Sequence, residues 1–337
     1  MVPALAVADA LRAEGARVVF AGGERAEAEL VPAAGYELRR LRVEGLSRTN
    51  PLKAARAAAR AAGAVLTARR IVRELAPDAV LGGGGYVAGP VGLAAVLARV
   101  PLVLSEADSH LGLANRLLAR RARRVCLAFP IAGRTGARYR VTGRPVPPPV
   151  TDRAAARARF GLAPEDRCLL VFGGSLGARS INEAAIAAWP QDPGFRVLHA
   201  CGVRDHAALA GRVPGPWYDL RPYIDGFGDA LAACELCLAR AGGSIFEIAA
   251  HGRPAILVPY PHAAADHQAG NARWMAQGGA AVVVDDAELS PERVRDQVGA
   301  LLADRTRLAA MAAASAALAR PHAARDIARE VLNAAGP

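Results

Sequence analysis

Lysine is nearly absent from this chain of 337 residues: Lys53 is the only one, and arginine makes up the rest of the 42 basic side chains. A basic excess spread this way follows the composition of the whole chain, and no nucleic-acid recognition module accompanies it, so nucleic acid is not an expected partner. The net charge of +11 still favours acidic partners, such as phosphates or an anionic membrane surface. Aromatics are scarce at 5%, so alanine and the aliphatic residues fill much of the 53% hydrophobic content. Cysteine is sparse too. Cys126, Cys168, Cys201, Cys234 and Cys237 are scattered, which fits a reducing compartment rather than a disulfide framework. Cys234 and Cys237 form the only close pair, and without a second pair of ligands they do not read as a zinc site. There is no secretory signal pattern, and no uncharged apolar run reaches the ~18 residues that span a bilayer.

What the chain does have is alternation. Strand-like runs at 16–23, 36–43, 77–85, 100–107, 123–129 and 137–143 alternate with helix-like runs from residue 3 to Gly15 and at 26–35, 51–75, 89–98 and 111–122. A second series follows. Its strands open at 167 and 236 and cover 195–202, 217–224, 253–261 and 280–286. Its helices follow the glycine turns and cover 226–233, 265–277, 290–303 and about 305–332. Between the series, "GRPVPPPVTD" carries Pro145, Pro147, Pro148 and Pro149, a stiff linker. The expectation is an α/β protein of two Rossmann-like doubly wound domains, at 1–144 and 145–318, with the default ligand site in the cleft between them. A C-terminal helix over 319–337 is expected to pack back on the first domain. Such a domain normally opens on a strand. Here a helix comes first, so the first strand of the first domain is expected to be missing.

Five stretches carry chemistry. "LLVFGGSLGARSIN" puts Gly173, Gly174, Ser175 and Gly177 between a strand and a helix, where free N–H groups can receive a phosphate or sugar. "ARAGGSIFEIAAHG" repeats the device with Gly242, Gly243 and Ser244. There Glu247 either caps the helix or accepts two ribose hydroxyls, and Arg240 either pairs with Glu247 or faces a diphosphate. "PYPHAAADHQAGNARWM" groups His262, Asp266, His267, Gln268 and Asn271. Capping by Asp266 is preferred to a metal site, and Gln268 and Asn271 share a helix face. "VLGGGGYVAGP" places Gly82 to Gly85 at a strand end with Tyr86 beyond it. "LSEADSHLGLANRLLA" offers Glu106 and Asp108 for acid–base work, or Asp108 or Ser109 as a helix cap. The arginine-rich helix from residue 51 either lies on an anionic membrane or packs with a solvated face.

These motifs in this order resemble the MurG family, the peripheral membrane N-acetylglucosaminyltransferases of peptidoglycan synthesis, over nearly the whole chain. The resemblance implies the GT-B fold and inverting transfer of GlcNAc from UDP-GlcNAc to the 4-hydroxyl of the muramyl sugar on undecaprenyl diphosphate (lipid I), giving lipid II at the cytoplasmic face of the cell membrane. It implies no cofactor and no metal, helix N-termini serving the diphosphate. It also implies a donor set of Ser175, Asn182, Ile224, Arg240, Gly243, Ser244, Ile245, Phe246, Glu247, Gln268 and Asn271. Ile224 would hold the uracil through its backbone, Glu247 the ribose and Gln268 the GlcNAc hydroxyls. Tyr86, Glu106, Asp108 and Asn115 match acceptor-side positions, and the helix from residue 51 matches the membrane-docking region.

The chain departs from the family pattern in places. "SEAD" (105–108) stands where the family has His-Glu-Gln-Asn, and "RPVP" (144–147) where it has Asn-Pro-Val-Arg. The 240–247 turn is one residue shorter than the family's. The family's opening strand, its Gly-Gly-Thr-x-Gly-His turn and the histidine often assigned as base have no counterpart, which leaves Glu106 as the candidate. The expectation is that the reading frame begins upstream of Met1, which in-frame upstream sequence would test, and that the chain as given transfers weakly. The alternatives are another GT-B activity, a glycolipid synthase or a UDP-GlcNAc epimerase, and an inactive nucleotide-sugar binding form.

Overall fold

The structure, a computed structural model, describes residues 1–41, 51–174, 176–263 and 266–336; of residues 51–62 and Tyr86 it describes the backbone alone. The chain forms two compact units, one of residues 1–146 with 320–337, the other of residues 147–319.

The first unit runs α1 (Val2–Ala13), β1 (Val19–Gly22), α2 (Glu27–Ala33), β2 (Glu37–Arg40), α3 (Pro51–Leu75), β3 (Val80–Gly82), α4 (Gly85–Leu97), β4 (Leu102–Glu106), α5 (Leu113–Leu118), β5 (Arg124–Leu127) and β6 (Tyr139–Val141). The second runs α6 (Arg153–Arg159), β7 (Cys168–Phe172), α7 (Arg179–Ala188), β8 (Arg196–Ala200), α8 (Val203–Leu209), β9 (Tyr218–Arg221), α9 (Phe227–Ala233), β10 (Leu236–Ala239), α10 (Ile245–Ala250), β11 (Ala255–Leu257), α11 (His267–Gln277), β12 (Ala281–Val283), α12 (Pro291–Ala303) and α13 (Arg305–Leu318). α14 (Ala323–Ala335) then belongs to the first unit.

Every strand pairing among the described residues is parallel. In the second unit six strands lie in the order β12-β11-β10-β7-β8-β9. All residues of β7, β10 and β11 are buried, as befits strands covered by helices on both faces. α7 turns Ile181, Ala184, Ala185 and Ala188 into the core, at the three- and four-residue spacing of a helix face. α6, which the sequence pattern did not suggest, docks beside α9. Its Arg153 and Arg157 both reach Glu235, and Arg153 also donates to the carbonyl of Ala232 in the last turn of α9.

In the first unit the strands form two sheets, β2-β1 and β3-β4-β5-β6. Among the described residues no strand joins β1 to β3. Both nevertheless flank one apolar layer, in which Val7 and Leu11 of α1 pack with Ile327 and Val331 of α14, against Val18, Leu81 and Val103. α14 buries Ala323, Ile327, Ala328, Val331 and Ala334 along one stripe. The single helix expected over about 305–332 is two helices. The break falls at Arg320–Pro321, where proline disfavours helical backbone in the residue before it.

Candidate functional site

In the second unit β7 and β10 are neighbours. From β7 the chain passes through α7 to β8 on one side; from β10 it passes through α10 to β11 on the other. The turns 173–178 and 240–244 therefore flank the point where strand order reverses, at the carboxyl ends of the strands, where such sheets bind ligands. Neither α7 nor α10 has a side-chain cap; the first N–H groups of α10, those of Ile245 and Phe246, bond back to the Gly242 and Gly243 carbonyls at 3.3 Å, whereas those of α7 face solvent or ligand. Gly177, at φ +75°, lies on the Cys201 carbonyl, and any Cβ would run into that oxygen. The turns after β7 and β8 thus interlock. Ser175, expected at this turn, lies outside the described residues.

The second turn assembles the rest of the predicted donor set. Gly243, Ser244 and Glu247 are half-buried around the start of α10. Ile245 and Phe246 are buried, and the Phe246 ring packs on Trp274 with centroids 5.5 Å apart, so these two residues can address a ligand only through their backbone. Gln268 accepts from the Tyr260 N–H at 3.0 Å, and its amide nitrogen lies beside Gly242. Asn271 donates to the Ala241 carbonyl at 2.9 Å, while its buried Oδ1 has no protein partner. That oxygen is an acceptor in want of a donor. Ile224 is buried between β9 and α9. Asn182, completely buried on α7, donates to the Cys201 carbonyl beneath Gly177 at 2.8 Å.

Two sequence expectations change here. Arg240 does not pair with Glu247. Its guanidinium bonds Asp286, the Ser180 hydroxyl at 2.8 Å and the carbonyls of Val258 and Pro259 at 3.2 Å. It is a buried clamp between β10, β11 and α7, with its cation over the Tyr260 ring at 5.4 Å. Asp266 does not cap α11, because its backbone is left-handed at φ +54° and its side chain makes no cap bond. The Cys234 and Cys237 thiols are free and fully buried, with sulfurs 3.8 Å apart. Among the described residues no group of three or more His, Cys, Asp or Glu is arranged to hold a metal ion.

Sequence reasoning missed the supports. His199, buried in β8, bridges Tyr218 and Asn182. His251 accepts from the Val150 N–H at Nε2 (3.1 Å) and faces the Glu247 carbonyl with Nδ1 (2.8 Å), tying the linker to the helix that bears Glu247. Burial depresses the pKa of both histidines, that of His199 to about 3. Both pairings join residues far apart in the chain, and no local pattern marks them.

In the first unit the turns after β3 and β4 meet. Gly84, at φ +80°, lies against the Asn115 amide nitrogen. That nitrogen donates to Glu106 Oε2 at 2.9 Å and to the Ser105 carbonyl at 3.1 Å. Glu106 also accepts from the N–H of Gly112 at 2.8 Å and of Asp108 at 3.1 Å. Neither Asp108 nor Ser109 caps α5: its N-cap is Gly112, which Glu106 holds. The Tyr86 side chain lies outside the described residues.

Two family models match, the N-terminal domain of glycosyltransferase family 28 over residues 1–127 and its C-terminal domain over residues 168–330. The chain belongs to glycosyltransferase family 28. It is 43% identical over 350 aligned positions to a UDP-N-acetylglucosamine–N-acetylmuramyl-(pentapeptide) pyrophosphoryl-undecaprenol N-acetylglucosamine transferase of Moorella thermoacetica, covering 98% of this chain and 94% of the relative. It is 42% identical to a transferase of the same name from a Mycobacterium species, covering 99% and 92%. The crystal structure of Acinetobacter baumannii MurG matches with a TM-score of 0.82 at 29% identity, over 98% of this chain and 95% of that one. Family membership agrees with the two-domain GT-B architecture and makes the chain a glycosyltransferase. The family's C-terminal match contains both glycine turns of the candidate site.

Proposed function

We propose that this chain transfers GlcNAc from UDP-GlcNAc to lipid I and forms lipid II. The observation that carries this is the grouping around the strand-order reversal of the second unit. The uncapped start of α7 serves the diphosphate, Glu247 the ribose, and Gln268, with Asn271 on the same helix face, the sugar. The N-terminus of α7 stabilises the charge that grows on the leaving UDP, the term that lowers the barrier most in such a displacement. Ser175 joins this set by sequence position.

The acceptor belongs to the turns after β3 and β4. Glu106 shapes that loop with three hydrogen bonds, and Asn115, Asp108 and Tyr86 surround it in sequence or space. The membrane side of the reading rests on surface composition. α4 packs beside α3 and α5, and these helices expose Leu66, Leu93, Leu97, Leu113 and Leu117. Arg69, Arg70 and Arg73 line a surface depression with Leu66, and Arg116, Arg120 and Arg121 are likewise on α5 or just after it. Exposed leucines among arginines suit the cytoplasmic face of an anionic bilayer. No helix among the described residues is long and apolar enough to cross a membrane.

Product analysis tests the proposal. With UDP-GlcNAc and a soluble lipid I analogue, UDP release must depend on the acceptor and yield the β-linked disaccharide. Release of free sugar without acceptor would indicate epimerase-type chemistry instead, and UDP binding without turnover a binding protein.

A further inference from the structure

His199 is completely buried in the middle of β8 and touches no surface of the candidate site. Its surroundings fix every proton around it. The Asn182 amide nitrogen faces two acceptors, the Cys201 carbonyl at 2.8 Å and Asp205 Oδ2 at 3.0 Å, so the Asn182 oxygen must face the histidine. That oxygen only accepts, so His199 Nε2, 3.0 Å away, is the donor. His199 Nδ1 then accepts from the Tyr218 hydroxyl at 2.7 Å. The result is a directional chain from β9 through β8 to α7 and on to the turn before α8, with each of these bonds supplied by one donor and one acceptor. Its far end is the Cys201 carbonyl, the atom on which Gly177 rests.

Two geometric facts make this chain matter for the ligand turn. Gly177 and Gly202 approach so closely that neither tolerates a Cβ, so the turn after β7 takes its position from the turn after β8. Asn182 lies on α7 one turn beyond its first residue, Arg179, and ties that helix start to the same carbonyl. Asp205, which receives the second Asn182 proton, is buried and is also approached by Arg179 at 3.8 Å and Arg204 at 3.3 Å. A shift of the Asn182 amide would therefore move the first N–H groups of α7, and a donor misplaced by 1 Å loses most of its effect on a developing anion.

We propose that His199 is a positioning residue of the donor site, holding Asn182 and through it the Gly173–Gly177 turn in the geometry that receives a diphosphate. This rests on the reading of that turn as the donor diphosphate site.

The test is titration calorimetry of UDP with wild type, His199→Phe, His199→Gln and Tyr218→Phe, each checked for folding by its thermal transition. Glutamine can donate to Asn182 and accept from Tyr218; phenylalanine fills the space and does neither. The expected result is a tenfold or greater rise in the UDP dissociation constant for H199F, recovery to within about threefold of wild type in H199Q, and a two- to fivefold rise in Y218F. In turnover, KM for UDP-GlcNAc should rise in H199F while KM for the acceptor stays put. Folded H199F that binds UDP within twofold of wild type overturns the proposal. If H199F does not fold, Y218F decides: unchanged UDP affinity in folded Y218F overturns it as well. Wild type that binds no UDP at all instead overturns the donor-site reading, and the proposal with it.

Discussion

Asn115 donates to the Glu106 carboxylate across 2.9 Å with both side chains buried, and this bond joins the turn after β4 to the helix that follows it. Two backbone N–H groups meet the same carboxylate, so three of its roughly four acceptor positions are occupied. Glu106→Gln would turn an N–H₂ group toward these donors. The expected outcome is a loss of about 2–4 kcal/mol in stability and a fall in acceptor-dependent turnover, with UDP affinity unchanged. Denaturant unfolding and calorimetry check it. Full stability together with abolished turnover would instead support Glu106 as the base.

Glu247 should matter through the ribose. Glu247→Ala is expected to weaken UDP binding by about 1.5–3 kcal/mol, roughly 10- to 150-fold. The same substitution should have little effect on binding of a uridine diphosphate lacking both ribose hydroxyls. An equal loss with both ligands would place Glu247 elsewhere.

Arg240 should act on stability rather than on ligand. Its partner Asp286 and the carbonyls around it are largely buried, so Arg240→Met strands them and should cost about 3–5 kcal/mol. Arg240→Met with Asp286→Asn should recover part of that loss. Thermal unfolding measures it. A normal transition with UDP binding lost would return Arg240 to the diphosphate.

Acid should destabilise the second unit through its buried histidines. A histidine whose folded pKa is depressed binds fewer protons folded than unfolded. Its contribution is intact above the ordinary pKa near 6.5 and is lost as pH falls toward the folded value, about 3 for His199. Between pH 6.5 and 5 His199 alone should remove roughly 2 kcal/mol, at about 1.4 kcal/mol per pH unit. His251 acts in the same direction, since protonating Nε2 breaks its bond from the Val150 N–H. Urea unfolding of wild type and His199→Gln at pH 7.5 and 5 isolates the His199 share; equal slopes in both would refute it.

Much of the fold was legible in the sequence because parallel strands covered on both faces read as apolar runs, and glycine punctuates their ends. β7 with its turn and β10 with its turn both show this. α6 and α8 were not legible: each has seven residues, rich in arginine or polar groups, and is held by distant ion pairs such as Arg153 with Glu235. The opening helix without a strand meets a first unit whose strands fall into two sheets, with no strand described between β1 and β3. At the site, residue types on turns were readable, but directions were not. Sequence spacing left Arg240 open to Glu247 or a diphosphate, whereas its partner Asp286 lies 46 residues away. Asp266 has the right residue type for a cap and the wrong backbone, and only φ reveals that.

α14 completes the layer under β3 and β4 with Ile327 and Val331, although residues 147–319 stand between it and the rest of its unit. During synthesis the second unit is contiguous and can close as soon as it leaves the ribosome. The first unit must wait, its α1 layer open, until the ribosome has finished the second and delivered α14. The chain therefore matures in reverse order, second unit before first, and the exposed α1 surface is where a nascent chain of this kind most needs a chaperone.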